Sequence, residues 1–292
     1  MLIKKIYKPL LLLSLVFQGC NDFEDLNTNP NEPTAVSSGV LFSSAIRNSA
    51  QTQSNESFLL GNNIAQLSAK TIRAEADFYG WNAFPTVWEG FYESLTDVQQ
   101  VIDISVETGD TATQAAAVIY KSWIYSVLTN AYGDIPYSEA MKGLEANFTP
   151  AYDSQEAIYA DLLNSLQQAV GMLSNGGNVQ GDLLFEGDTQ KWVQFANSLQ
   201  LRLLMYQSNK QDVSAAFASI VNSGNIINSN ENQAAVTFLS SFPNQFPTIP
   251  LKQGDFDAVA ISKAAVTVLE GLKDPRISRY ARPDNQDFNA PV

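Results

Sequence analysis

The residues best suited to chemistry lie in one short stretch. Asp77-Phe78-Tyr79-Gly80-Trp81-Asn82-Ala83-Phe84-Pro85 concentrates aromatic rings beside an amide and is broken by Gly and Pro, with Arg73 just upstream. Flat rings stack on the apolar face of a sugar or against a peptide side chain, while amide and guanidinium groups bond hydroxyls or carbonyls. Arg73, Tyr79, Trp81 and Asn82 are therefore the expected ligand contacts, on a loop between a helix ending near Arg73 and another starting near Val87. The alternative is that these rings fold inward as core.

Cys20 is the second chemically distinctive residue, the one cysteine of the chain. Lys4, Lys5 and Lys8 precede an apolar run, Leu10 to Phe17, and Gly19-Cys20 follows at once, which is the layout of a secretory signal. The run is shorter than the roughly 20 apolar residues of a spanning helix. A small residue before a lone cysteine at that place resembles a lipoprotein signal, which makes Cys20 the expected acylated N-terminus; the alternative is an ordinary cleaved signal with an incidental cysteine. Asp22, Glu24 and Asp25 then form an acidic cluster, read either as a surface-export tag or as a solvated tether. Asn27 to Thr34, rich in Asn and Pro, is expected to run as an extended linker. The expected division is a signal over 1–19, a lipid-anchored tether over 20–39 and a helical domain over 40–292.

Composition removes several chemistries. The chain has no histidine, so Ser-His-Asp and Cys-His nucleophiles and imidazole metal sites are excluded, and one cysteine permits neither an internal disulfide nor a thiolate cluster. No cofactor or metal signature appears. The formal charge is -13, and loss of the three leader lysines takes it to -16, so nucleic acid is not an expected partner. Acidic side chains are abundant enough to supply the carboxylate pair of a glycoside hydrolase, about 5 to 10 Å apart, but sequence spacing does not establish such a pair. They fall at caps, linkers and helix exteriors, and no nucleophile elbow or phosphate loop is present. Binding is favoured over catalysis.

The elements that must position these groups are helices. Ile119, Tyr120, Trp123, Ile124, Val127 and Leu128 recur at three- and four-residue steps, predicting one buried helix face. Asp153 with Glu156 reads as a capping box opening a helix striped by Ile158, Leu162, Leu166 and Val170, which Gly176-Gly177 stops. Another helix is expected after Asp188, burying Trp192, Phe195, Ala196, Leu199, Leu203 and Tyr206, and further ones over Ala215 to Ile220 and Ala258 to Leu272. Trp88, Phe91, Tyr92, Leu95 and Val98 also stand at helical spacing and are assigned to core, as are Trp123 and Trp192. Helix starts near 115, 154 and 190 lie about 34 to 40 residues apart, as in tetratricopeptide (TPR) helix pairs. The fold class expected is mainly α, a TPR-like helix-pair stack with long irregular loops and little β structure. Tyr132-Gly133-Asp134-Ile135-Pro136-Tyr137 reads as a helix-exit turn with a structural role, Gly taking a positive φ and Pro blocking re-entry.

Several of these segments together resemble the SusD/RagB family, particularly its SusD-like subgroup: Asn21-Asp22-Phe23 and Leu26-Asn27-Thr28-Asn29-Pro30 after the cysteine, then Tyr132 to Ala140, Ala196-Asn197-Ser198-Leu199-Gln200-Leu201-Arg202, and Asp274-Pro275-Arg276. The resemblance implies a mostly helical lipoprotein on the outer membrane, facing the exterior. It would bind glycan or oligopeptide and deliver it to a SusC-like TonB-dependent transporter. Family members continue well beyond the Asp-Pro-Arg turn, so the chain is expected to be a fragment or an early stop, with exposed apolar patches where further chain would pack. Two other readings stay open: a TPR-like surface adaptor that binds only protein, and the carboxylate-based glycoside hydrolase.

Overall fold

A computed structural model of the chain describes residues 36–72, 78, 80, 85–242, 244–248 and 258–281. Five long helices dominate: α1 (Ser38–Glu56), α2 (Pro85–Thr108), α3 (Thr111–Tyr132), α4 (Gln155–Met172) and α5 (Thr189–Gln207). Each packs against the next, and α3 also touches α1 and α5. This is the TPR-like stack that the apolar periodicity predicts. Shorter helices among the described residues include α6 (Ser214–Asn222), α7 (Lys263–Gly271) and α8 (Ile277–Tyr280).

Helix α3 is central because its sequence is apolar around much of its circumference. Ala115, Ala116, Ile119, Tyr120, Ile124, Tyr125 and Leu128 are all buried, and small alanines on one side let neighbours approach closely. Asp110 caps its start by accepting the Thr113 N–H at 3.1 Å. Against it α1 buries Phe42, Ala45, Ile46 and Ser49, and α2 buries Phe91, Leu95, Val98 and Val101. On the other side α4 buries Ile158, Leu162, Leu166 and Ala169, with Val170 partly covered.

Trp192 of α5 is the hub of the core, with no exposed surface. Its ring stacks on Phe42 at 5.8 Å and meets Phe185 and Tyr120 edge-on at 5.3 and 6.5 Å. A buried indole N–H must find an acceptor, and Asp182 Oδ2 supplies it at 2.8 Å. The same carboxylate accepts the backbone N–H groups of Leu184, Phe185 and Gly187, so it shapes the loop that carries Phe185. Gly181, just before it, has φ +67° and lies so close to Gly39 that a Cβ would meet the Gly39 carbonyl oxygen at 1.9 Å. Only glycine fits there.

Four sequence expectations need correction. Asp153 does not cap α4; Ser154 does, through a 3.3 Å bond from the Ala157 N–H, because Asp153 is held in a strand. The helix expected from Ala258 begins at Lys263. Val259–Ile261 is instead β4, antiparallel to β1 (Ser68–Lys70), and Ser262 caps α7 while donating to the Gln66 carbonyl. For the same reason no helix runs to Arg73: the chain leaves helical structure after Ile64 and extends at Ser68 to pair with β4. Tyr206 is 56% exposed, since Leu203 and Leu204 take the buried places in the last turn of α5. Neither α6 nor α7 buries any residue completely.

Replacing Asp182 with Ala leaves the Trp192 indole and three backbone N–H groups without their acceptor. The expected loss is about 2 to 4 kcal/mol, read as a lowered urea midpoint at unchanged slope; a loss below about 0.5 kcal/mol would contradict the role given to this carboxylate.

Candidate functional site

Arg73, Tyr79, Trp81 and Asn82 lie outside the described residues, as do Cys20, Asp22, Glu24 and Asp25. Within the aromatic segment, Phe78 is described and is 80% exposed. The framework at both ends is also described. Strand β1 leads in, α2 leads out from Pro85, and Thr86 Oγ1 donates to Glu56 Oε1 at 2.5 Å, tying the start of α2 to the end of α1.

One turn into α2 stands an aromatic shelf. The Trp88 ring packs on Tyr92 at 4.8 Å, meets Tyr132 edge-on at 5.1 Å and stacks nearly parallel to Tyr152 at 6.3 Å and 22°. Trp88, Tyr92 and Tyr132 are half-buried, whereas Tyr152 is 64% exposed. Trp88 and Tyr92 are thus partly core, as their spacing suggests, and partly the supporting layer beneath an open ring. The Tyr92 hydroxyl is fixed by donating to the Pro136 carbonyl at 2.7 Å. Burial, then the neighbouring Tyr125 and Tyr152 hydroxyls, raises its pKa well above the ordinary phenol range, so it stays a protonated donor.

Tyr152 keeps its place because the segment from Tyr132 to Ala140 is anchored residue by residue. Gly133 leaves α3 at φ 77° and its carbonyl accepts the Thr129 hydroxyl at 2.7 Å. Asp134 accepts the Gln155 N–H at 2.9 Å, and Gln155 Nε2 donates to the Thr129 carbonyl at 2.7 Å. β2 (Ile135–Pro136) pairs antiparallel with β3 (Tyr152–Asp153), setting Tyr152 opposite Pro136. Asp153 accepts the backbone N–H groups of Tyr137 and Ser138 at 3.2 and 2.8 Å and the Ser138 hydroxyl at 2.9 Å. Glu139 accepts the Ala151 N–H at 2.9 Å. Hydrogen bonds from Ser138, then from Tyr137, hold the Asp153 carboxyl below the usual carboxylate range despite an opposing desolvation.

The arrangement offers a flat exposed ring backed by a second ring, with phenol hydroxyls close by, and Phe148, 79% exposed, on the same connection. Such a surface retains ligands by stacking. It contains no activated nucleophile, and among the described residues no cluster of acidic side chains could hold a metal ion. Sequence reading missed Tyr132 and Tyr152. A usable signal was Phe148-Thr149-Pro150-Ala151-Tyr152, two aromatics flanking a turn-forming segment with no helical partner spacing.

A profile of SusD-like proteins described as starch-binding and associating with the outer membrane matches residues 30–291. The chain belongs to the SusD-like family. No curated protein matches this SusD-like chain. Solved structures do: a SusD homologue from Bacteroides fragilis has a TM-score of 0.71 at 22% identity, over 83% of this chain and 52% of its own. A SusD/RagB family protein from Bacteroides thetaiotaomicron gives 0.66 at 22%, over 83% and 53%. A chitin-binding protein gives 0.65 at 26%, over 82% and 53%. The SusD-like chain spans about half the length of the solved structures it matches.

The clamp on the turn is acid-sensitive with a defined sign. Asp153 has a folded pKa below its unfolded value of about 3.9, so its contribution is complete above that pH and is lost as pH falls through the lower, folded value. The expected outcome is a stability gap between the native protein and Asp153→Asn that is constant from neutral pH to about pH 5 and closes below about pH 4, measured by urea unfolding. A gap that widens on acidification would contradict it.

Proposed function

We propose that this SusD-like chain is a surface capture module that binds oligosaccharide without breaking bonds and passes it to a SusC-like TonB-dependent transporter. The single observation that carries the reading is the exposed Tyr152 ring stacked over Trp88, at the root of the helix that leaves the aromatic segment 77–85. That segment would add Trp81 and Tyr79 as further stacking faces and Asn82 and Arg73 as hydroxyl partners. The family's description as starch-binding makes glucans the first ligands to test, and the chitin-binding relative adds N-acetylglucosamine oligomers. An oligopeptide could use the same rings and is the competing ligand class.

Residues 1–19 form the signal, Cys20 carries the lipid, and the stretch from Cys20 to the start of α1 at Ser38 tethers the helical domain to the outer membrane, with Asp22, Glu24 and Asp25 directing the protein to the exterior. Several acyl chains at about 0.8 kcal/mol per buried methylene hold such a protein at a bilayer without a spanning segment. The carboxylates Asp134, Asp153 and Glu139 each accept a backbone N–H group, which gives them a part in holding the turn.

Tyr152→Ala and Trp81→Ala should each weaken binding of maltoheptaose or chitohexaose by about three- to tenfold, the worth of one aromatic stacking contact, with helical circular dichroism unchanged. Unchanged affinity in both folded variants, or retention of peptides but not of either sugar, would contradict the reading. Released reducing ends would overturn the assignment as a binder. In cells, Cys20→Ala should move the protein out of the membrane fraction.

A further inference from the structure

Below the turn, on the face of the stack formed by α2, α3 and α4, lies a recess of about 560 Å³ with a different character. Its lining combines apolar side chains, Ile102, Val118 and Leu162, with polar and charged ones. Lys121, on central helix α3, reaches into it, donating to Gln99 Oε1 at 2.7 Å with its ammonium 5.9 Å from the centre of the Tyr125 ring. Across the recess, Tyr137 donates its hydroxyl to Asp161 Oδ2 at 2.5 Å. Gln99 is itself oriented by Asp103, to which it donates at 2.8 Å.

The arrangement leaves hydrogen-bonding capacity unspent. An ammonium has three donors, and the one bond from a described residue leaves Lys121 two. Asp161 Oδ1 accepts no bond from any described residue, while its partner oxygen is engaged. Burial lowers the Lys121 pKa, and the nearby charges of Asp103 and Asp161 oppose that only in part, with Lys142 adding to the lowering. An anionic ligand would face the two carboxylates of the lining, Asp153 and Asp161. A cation would face the lysine. A neutral ligand that both donates and accepts, with an apolar face for Ile102, Val118 and Leu162, meets all these demands, and hydrogen bonds to charged partners are the stronger kind.

We infer that this recess is a second binding site, for a single neutral sugar unit or a disaccharide, with Lys121 donating to one hydroxyl and Asp161 accepting from another. The volume lies within the range of small-molecule sites, about 300 to 1,000 Å³. The inference deepens the oligosaccharide-capture reading and rests on it for the choice of sugars. It places a sugar end, rather than a chain lying across rings, between the helices.

The test uses the full chain and amine acetylation followed by mass spectrometry, with glucose, maltose and N-acetylglucosamine as probes. At least one is expected to slow modification of Lys121 by tenfold or more while leaving Lys142 unchanged. Asp161→Asn, a conservative change at an exposed position, should remove that protection, and Tyr152→Ala should not. No protection by any of the three sugars, protection that survives Asp161→Asn, or protection by glycylglycine instead would overturn the inference. Maltoheptaose binding that depends on Tyr152 in the same preparation would leave the capture reading standing while this one falls.

Discussion

The architecture depends on satisfying one buried N–H. Trp192 brings a large apolar surface to the place where α1, α3 and α5 converge, and that burial is tenable because Asp182 accepts its indole proton. With the ring in position, Phe42 and Tyr120 have fixed faces to pack on, so α1 and α3 acquire a defined spacing. Helix α2 lies against both. Its register sets the direction in which Trp88 projects, and that residue supports the exposed ring of the proposed capture surface.

A second constraint transmits this order to the site. Helix α3 must stop at Tyr132 and the chain must return to start α4 at Gln155, and in between the turn at 133–139 is held by acidic and amide side chains. Asp134, Glu139 and Asp153 are three of the acidic residues in that stretch. In the structure each of them accepts at least one backbone N–H group. The acidic character of this region is thus a folding device that makes a rigid base for Tyr152.

Much of the fold was legible because helix packing writes a three- and four-residue period into sequence. The stripes of α3, α4 and α5, the start of α5 after Asp188 and the exit at Gly133 follow from local rules. What was not legible depended on distant partners. Val259–Ile261 reads as the start of a helix until Ser68–Lys70 is found beside it. Asp153 has the spacing of a cap, yet backbone N–H groups at Tyr137 and Ser138 claim its carboxylate first. Trp88 and Tyr92 show core spacing, and nothing local reveals that Tyr152 will lie over Trp88, because their approach is set by the β2–β3 pairing. The position of Lys121 beside Asp161 likewise requires α3 and α4 to be packed. The aromatic segment around Trp81 was recognised by composition alone.

The central claim is that ligand rests on the aromatic shelf built by Trp88 and Tyr152. Hydroxyl-radical footprinting of the full chain with and without maltoheptaose and chitohexaose tests it most directly. The account predicts that one of these sugars lowers oxidation at Tyr152 and Trp88, together with Phe78, while exposed rings elsewhere such as Tyr206 and Phe242 are unaffected. Sugar binding accompanied by protection only at those distant rings, with Tyr152 oxidised as before, would contradict it.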